Sequence, residues 1–377
     1  MQVYFDNAAT TPMRQEVITA MHESMQACFG NPSSTHSFGR DARSAIETAR
    51  KNIAAALGAL PNEIIFTSGG TESDNAILRT AVKDLGVKTL ISSKIEHHAV
   101  LHTLDVLEAM GTSIQYVNIL PSSLIDYAHL EELLDCSEGP VLVSLMHVNN
   151  EIGTVLDLEK VAQLCQTHQA LFHTDAVQGV GHFEFDLKTL PIDFLSAAAH
   201  KFHGPKGVGF SFIRNGSGLH PFLVGGAQER GMRAGTEATH SIVGMQKALE
   251  IAYDKLAAER RYISSLKDHF IQGVQALFPK AQFNGVCNHP DKSTYTLVNV
   301  ALPIESTQSQ MLDFQLDLKG IACSKGSACQ SGSSSRSHVL NALPLTETET
   351  TSLRFSFSCY NTLEEIDYVL EVLKAFA

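Results

Sequence analysis

No run of lysine or arginine long enough to form a basic stripe occurs in this chain. Acidic residues outnumber basic ones 40 to 28, for a formal charge of -12. That balance argues against a nucleic-acid binder, which needs a positive surface to meet phosphates. No apolar run reaches the ~20 residues of a bilayer span, so no membrane attachment is expected. The opening MQVYFDNAATTP shows neither the basic region nor the apolar stretch of a secretory signal. A cytoplasmic protein is the expectation, or one from an organelle matrix if a transit peptide has been removed. CxxC pairs are missing too. The seven cysteines (28, 136, 165, 287, 323, 329 and 359) are odd in number and scattered, as suits free thiols in a reducing compartment. His97, His98 and His102 have no thiol at ligand spacing, so no metal site is expected. Nor does a GxGxxG follow any strand-like run, and GGTES is no Walker A loop. Nicotinamide cofactors therefore fit poorly.

What is present is an alternation. Short β-branched runs, EIIFT (63–67), KTLISS (88–93), SIQYVNI (113–119), PVLVSLMHV (140–148), ALFHTDA (170–176), DFLSAAA (193–199) and GVGFSFI (207–213), take turns with amphipathic stretches such as ESDNAILRTAVKDLG and DLEKVAQLCQTHQA. This rhythm predicts an α/β fold, a mostly parallel central sheet covered by helices. One long charged helical tract follows at about 240–278. Beyond it come STYTLVNVAL and the closing TLEEIDYVLEVLKAF, which predict a smaller α+β domain. The expected boundaries are residues 15–259 for the large domain, and 1–14 plus 260–377 for the small one.

In open α/β sheets ligands bind beyond the carboxyl ends of the strands. After EIIFT comes SGGTES, two glycines, Gly70 among them, for a tight turn, then Thr71 and the start of a helix, which together offer an anion site. KTLISS leads to His97, PVLVSLMHV to Asn149, ALFHT to Asp175 and Gln178, and DFLSAAA to His200 and Lys201. A phosphate cup, an aromatic base, an amide, a carboxylate and a lysine thus share one edge. That set suits pyridoxal 5′-phosphate, whose aldehyde needs a lysine, whose ring nitrogen needs a carboxylate and whose phosphate needs an anion site. Each residue alone has a plainer reading. Asp175 could be a helix N-cap, Lys201 an ordinary loop lysine, His97 a structural histidine and Arg354 an ion-pairing strand residue.

Residues 323–338 read CSKGSACQSGSSSRSH. Half of positions 324–337 are serine and two more are glycine, with Cys329 in their midst. So little apolar surface predicts a mobile loop, and an exposed thiol there is unusual, because cysteines are mostly buried.

The strings FDNAATTP, GNPSSTHSFGR, FTSGGTESDNAI, EHHAVL, NNEIGT, FHTDAVQ, AHKFHGPKGVG, GGAQERGMRAGT, GSAC, SHVLNAL and RFSFSCYNTLEEID occur in that order. Together they resemble cysteine desulfurases of the NifS/IscS type, pyridoxal-phosphate enzymes of the class V aminotransferase family and of fold type I. The resemblance spans essentially the whole chain. It implies that Lys201 joins the cofactor covalently, that Asp175 pairs with its ring nitrogen and that Gln178 bonds its phenolate oxygen. His97 would stack on the ring and relay protons, and Asn149 would orient ring and substrate. Gly70, Thr71 and His200 would hold the phosphate, with Thr236 reaching in from the second subunit of a homodimer. Arg354 would clamp the α-carboxylate of L-cysteine, with Asn7 also facing the substrate. Cys329 would take the sulfur as a persulfide and carry it to an acceptor such as an iron–sulfur scaffold protein, or toward tRNA thiolation. The eight residues between Cys329 and His338 match the family's long-loop type. The same scaffold also serves selenocysteine lyases and other class V enzymes, and a partner-docking scaffold is the reading from another class. One departure stands out. Family members commonly carry a phosphate-binding serine three residues before the lysine, and here that position is Ala198.

Overall fold

The computed structural model describes residues 1–304, 311–325, 337–344 and 350–377. The chain opens with a short strand, β1 (Val3–Tyr4), and two helices, α1 (Gln15–Ala27) and α2 (Ser37–Ala56). The main sheet then builds up through β2 (Ile64–Thr67), α3 (Gly70–Leu85), β3 (Thr89–Ser92), α4 (His98–Ala109) and β4 (Ser113–Tyr116). It continues with α5 (Tyr127–Cys136), β5 (Val141–Ser144), α6 (Leu158–Thr167), β6 (Leu171–Asp175), β7 (Phe194–Ala198) and β8 (Gly209–Ile213). Each strand of the main sheet falls inside one of the seven β-branched runs.

Across the sheet the order is β2-β8-β7-β6-β5-β3-β4. All neighbours are parallel except β8, which runs antiparallel to β2 and β7. Strands β2, β3, β5 and β7 are buried along their whole length, which is why they read as continuous apolar runs without alternation. Their helices start where a side chain can serve the free backbone N–H groups. Asp126 Oδ1 accepts from Ala128 and His129, and Asp157 Oδ1 accepts from Lys160.

The helical tract near 240–278 is two helices, α7 (Thr239–Asp254) and α8 (Leu256–Leu277), broken at Lys255. The reason is in their apolar faces. Ile242, Met245, Ala248, Leu249 and Ala252 join the core around the main sheet. Ile263, Leu266, Phe270 and Val274 join a second core with Phe5, Val298, Val300, Phe355 and Ile366. A single straight helix could not present both stripes.

That second core is built on β9 (Gln282–Phe283), β10 (Leu297–Leu302), α9 (Leu312–Leu318), β11 (Ile321–Ala322), α10 (His338–Ala342), β12 (Thr351–Ser356) and α11 (Leu363–Leu373). Strands β9, β10 and β12 form an antiparallel sheet, and β11 pairs with β1 in parallel. The closing helix carries a capping box, with Thr362 and Glu365 each serving the other's backbone N–H. Residues 5–14 lead from the second core across to the turn that follows β7.

Candidate active site

The N-terminal segment draws the site together. Lys201 Nζ donates to the carbonyls of Ala8, at 2.6 Å, and Ala9, at 2.9 Å. Gln178 Nε2 donates to the same Ala8 oxygen at 2.8 Å. His200 Nδ1 lies 3.2 Å from Thr10 Oγ1, and the N–H and hydroxyl of Thr11 both donate to His200 O. The lysine, glutamine and histidine from two strand ends are therefore fixed against one stretch, 8–11. Sequence patterns could not show this, because backbone carbonyls do the holding and any residue type supplies those.

Asp175 ends β6, and its Oδ1 accepts from Val177 N at 2.9 Å. Burial, reinforced by the negative charge of Asp74, pushes its carboxyl up to about 7. Val177, His173 and Lys201 oppose that rise. His97 caps α4, with Nδ1 accepting from Ala99 N at 3.1 Å, so its remaining proton sits on Nε2. Burial, with the positive charge of Lys201 and neighbouring histidines, brings its pKa down to about 4. His200 is likewise lowered to about 4, by burial and by Lys201 and Lys206. Both rings are neutral near pH 7. Asn149 is fully engaged within the protein: Nδ2 donates to Ile95 O at 2.8 Å, and Oδ1 accepts from Glu151 N and Ile152 N. It thereby ties the loop after β5 to the segment that leads into His97.

The expected anion site lies at the start of α3. Gly69 adopts φ +149, a conformation open to glycine and strained for other residues. Gly70 would drive a Cβ to 2.6 Å from Val177 Cγ2, which explains the second glycine of the pair. Thr71, in the first turn, is exposed. Ser68 N donates to Glu72, whose carboxylate is gripped by Arg233 through Nε at 2.8 Å and Nη2 at 3.1 Å. Ala198 ends β7 and is buried, and the residue offers no hydroxyl. Thr236 is exposed, in a segment anchored by the buried pair Arg50–Glu229. Phe222, Leu223 and Val224, close by in sequence, are exposed as well.

Arg354 lies on β12 with only 1% of its surface exposed. Its Nη2 donates to Asp6 Oδ1 at 2.7 Å and lies 3.2 Å from Ser324 Oγ, and its Nη1 donates to Asn150 O. Its buried Nε has no hydrogen-bond partner among the described residues. Asn7 is buried, and its Nδ2 donates to Ser356 O at 2.8 Å. Cys329 lies outside the described residues, but the residues flanking its segment do not. Ser324 pairs with Arg354 through two backbone hydrogen bonds, and its hydroxyl donates to Asp6. Ser337 donates to Glu151 Oε2, and His338 Nε2 meets Glu96 O at 2.9 Å. One flank thus sits beside Arg354 and the other beside the His97 and Asn149 loops. Sequence reasoning missed Asp6, Glu96 and Glu151, which look like ordinary surface acids until the fold is known. Among the remaining cysteines, burial raises Cys287 and Cys359 to about 11, and Cys165 and Cys323 to about 12. Those four are poor thiolates. Among the described residues no group of histidine, cysteine and acidic side chains has metal-binding geometry.

A lysine, a carboxyl able to hold a proton, neutral imidazoles and a glycine-started helix make a site of the class V aminotransferase kind. The pattern of that family, aminotransferase class V, matches residues 3–369, and the chain belongs to it. Over 376 residues the chain is 42% identical to cysteine desulfurase IscS of Dictyoglomus turgidum, covering 99% of this chain and 94% of that protein. A solved NifS-like protein superposes with a TM-score of 0.90 at 36% identity, covering 100% of this chain and 99% of that one. SspA, solved in complex with cysteine, superposes with a TM-score of 0.81 at 33% identity, covering 96% of this chain and 100% of that one. The resemblance to the NifS/IscS type is thus borne out over the full length.

Proposed function

We propose that this chain is a pyridoxal-phosphate-dependent cysteine desulfurase. The observation that carries the reading is the convergence of Lys201, Gln178 and His200 on residues 8–11, beside Asp175 and His97, in a chain so similar to an IscS. The donor set fits the cofactor. Lys201 would anchor it, Asp175 would hold the ring-nitrogen proton, Gln178 would serve the phenolate oxygen and His97 would cover the ring. Gly70, Thr71 and His200 would take the phosphate, with Thr236 of a second subunit in a homodimer. When bound, the cofactor draws electrons from the bonds at the substrate's α-carbon.

The chain's own groups then act on L-cysteine. Arg354 binds the α-carboxylate with a planar fork, a task for which lysine is ill suited, and Asn7 and Asn149 keep that pocket in shape. Lys201 Nζ removes the α-proton. Cys329 Sγ, as thiolate, attacks the substrate sulfur. The S–S bond forms as the Cβ–S bond breaks, the electron pair stays with the substrate Cβ, which takes up a proton, and return of a proton to the α-carbon completes alanine. The persulfide on Cys329 passes to an acceptor protein, with iron–sulfur assembly or tRNA thiolation as the use and the cytoplasm as the place. No helix among the described residues is long and apolar enough to cross a membrane. Four of the other six cysteines support this choice of nucleophile, since burial suppresses the thiolates of Cys165, Cys287, Cys323 and Cys359.

The test is sulfide and alanine release from L-cysteine with a thiol reductant, comparing wild type with Cys329→Ser. Turnover by wild type, together with a variant that stays yellow but releases no sulfide, supports the desulfurase. Equal release by both favours a lyase of the selenocysteine type, in which Cys329 is dispensable. A protein that takes up no cofactor overturns the enzymatic reading.

A further inference from the structure

Behind Asp175 lies a polar layer that the proposed reaction does not use. His173 precedes Asp175 by two residues on β6 and so shares its face of the sheet. His173 is fully buried, with Nδ1 2.9 Å from Ser144 Oγ on β5 and Nε2 3.2 Å from Ser196 Oγ on β7. Those two serines come from the neighbouring strands, Ser144 paired in register with His173 and Ser196 with Asp175. From the helix layer Asp74 on α3, 1% exposed, brings Oδ1 to 3.5 Å from His173 Nε2, and that oxygen has no hydrogen-bond partner among the described residues. Four buried polar side chains, three on the sheet and one on the helix that covers it, are costly unless they serve something.

We propose that Asp74, seated by His173, is a positioning residue that acts through Asp175 to hold the proton on the ring nitrogen of the bound cofactor. This inference rests on the cofactor reading above. The physical argument is like-charge coupling in a buried space. Asp74 faces His173 and Asp175 on β6 and Ser196 on β7. Glu96, after β3, and Lys201, after β7, complete the charged surroundings. Asp74 raises the proton affinity of Asp175, and burial carries Asp74 itself to about 7, against the opposing hydrogen bond from Ser196. Above that pH Asp74 is an anion. Its Oδ1 then faces His173 Nε2 across 3.5 Å, an electrostatic contact and not a hydrogen bond, and burial keeps that imidazole neutral by lowering it to about 4. Two anions in line then favour the ring's protonated form more than Asp175 could alone. His173 fixes the spacing and carries no charge.

Asp74→Asn keeps the shape and removes the charge. Ring protonation would be followed by the 15N signal of labelled pyridoxal 5′-phosphate bound to the full-length protein, from pH 7 to 10, with the dissociation constant measured in parallel. The expected result is loss of the ring proton about one pH unit lower in the variant, with up to about tenfold weaker binding at the alkaline end and equal binding near neutrality. A structural role alone would weaken binding equally at every pH. That result, or superimposed profiles, would overturn the proposal. Should Asp74→Asn not fold, 13C-carboxyl titration of aspartate-labelled wild-type apoprotein decides instead. Two coupled aspartates titrating near neutrality support the proposal, and ordinary independent titrations refute it. Wild type that binds no cofactor would instead sink the cofactor reading, which keeps the two failures apart.

Discussion

The buried pair Arg50–Glu229 offers a stringent test of how the segment carrying Thr236 is held. Arg50 Nη1 donates to Glu229 Oε2 at 2.7 Å and Nη2 to Oε1 at 2.8 Å, a bidentate fork with both side chains about 2% exposed. Arg50 also donates to Ile64 O and lies 4.5 Å from the centre of the Phe66 ring, while Glu229 accepts from Phe66 N at 2.8 Å. The pair therefore joins α2, β2 and the 228–236 segment. It does so where Glu229 and Arg230 adopt φ of +46 and +58, left-handed values that cost about 1–3 kcal/mol each outside glycine. Glu229→Gln leaves an acceptor for Phe66 but strands a buried guanidinium, which costs about 3–5 kcal/mol. Glu47, whose Oε1 lies 3.0 Å from Arg50 Nε on a partly exposed side chain, remains as a counter-ion, so the lower end is expected. Glu229→Ala also orphans the Phe66 N–H and adds about 1–3 kcal/mol. Arg50→Met with Glu229→Gln removes both charges, keeps an acceptor for Phe66 and should recover most of the loss, because no buried charge is then left without its partner. Urea unfolding of the apoprotein at one fixed concentration gives these differences. A cost below about 1 kcal/mol for Glu229→Gln, or a double variant no better than the single, would refute the reasoning.

Two further outcomes follow from the site. Ala198→Ser supplies a hydroxyl at the end of β7 and should slow cofactor dissociation, since one added hydrogen bond to a charged group gives about 1.5–3 kcal/mol; an unchanged off-rate would mean that another donor already serves the phosphate. The apoprotein should lose stability as pH rises from 6.5 to 8.5. Burial raises Asp74 and Asp175 to about 7 and Glu96 to about 8, so their contribution is full only below the ordinary carboxylate range, declines as pH rises above it, and loses its last part through that window. The depressed histidines 97, 147, 173, 200 and 203, at about 3 to 4, act oppositely, losing their contribution only as pH falls below 6.5. Thermal melts across pH 6.5–8.5 check the sign, and a rising melting temperature would contradict it.

What the sequence could reveal followed from where each residue's partners lie. Strands β2, β3, β5 and β7 of the main sheet were legible because burial on both faces demands continuous apolar runs, and strand ends mark where ligand groups collect. Gly69 and Gly70 were legible because their backbone and close neighbours tolerate nothing larger. The break at Lys255 was not. Both helices have good helical periodicity, and only the direction of two separate cores divides them. Asp74 was hidden inside a string read for its helix start, and His173 inside a strand read for its terminal Asp175. Their meaning depends on α3 lying over β6 and β7, a long-range fact.

The same long-range folding explains why the site stands where the two cores meet. Phe5 belongs to the second core, while Ala8, Ala9 and Thr11 bind the turn after β7. Asp6, between them, binds both Arg354 and Ser324. One N-terminal segment thus fixes the lysine from one side and the arginine from the other. The spacing between the group that would hold the cofactor and the group that would hold the substrate is set by residues 6–9. Neither core alone could form the site, and a change that loosens this segment should disturb both ends of it together.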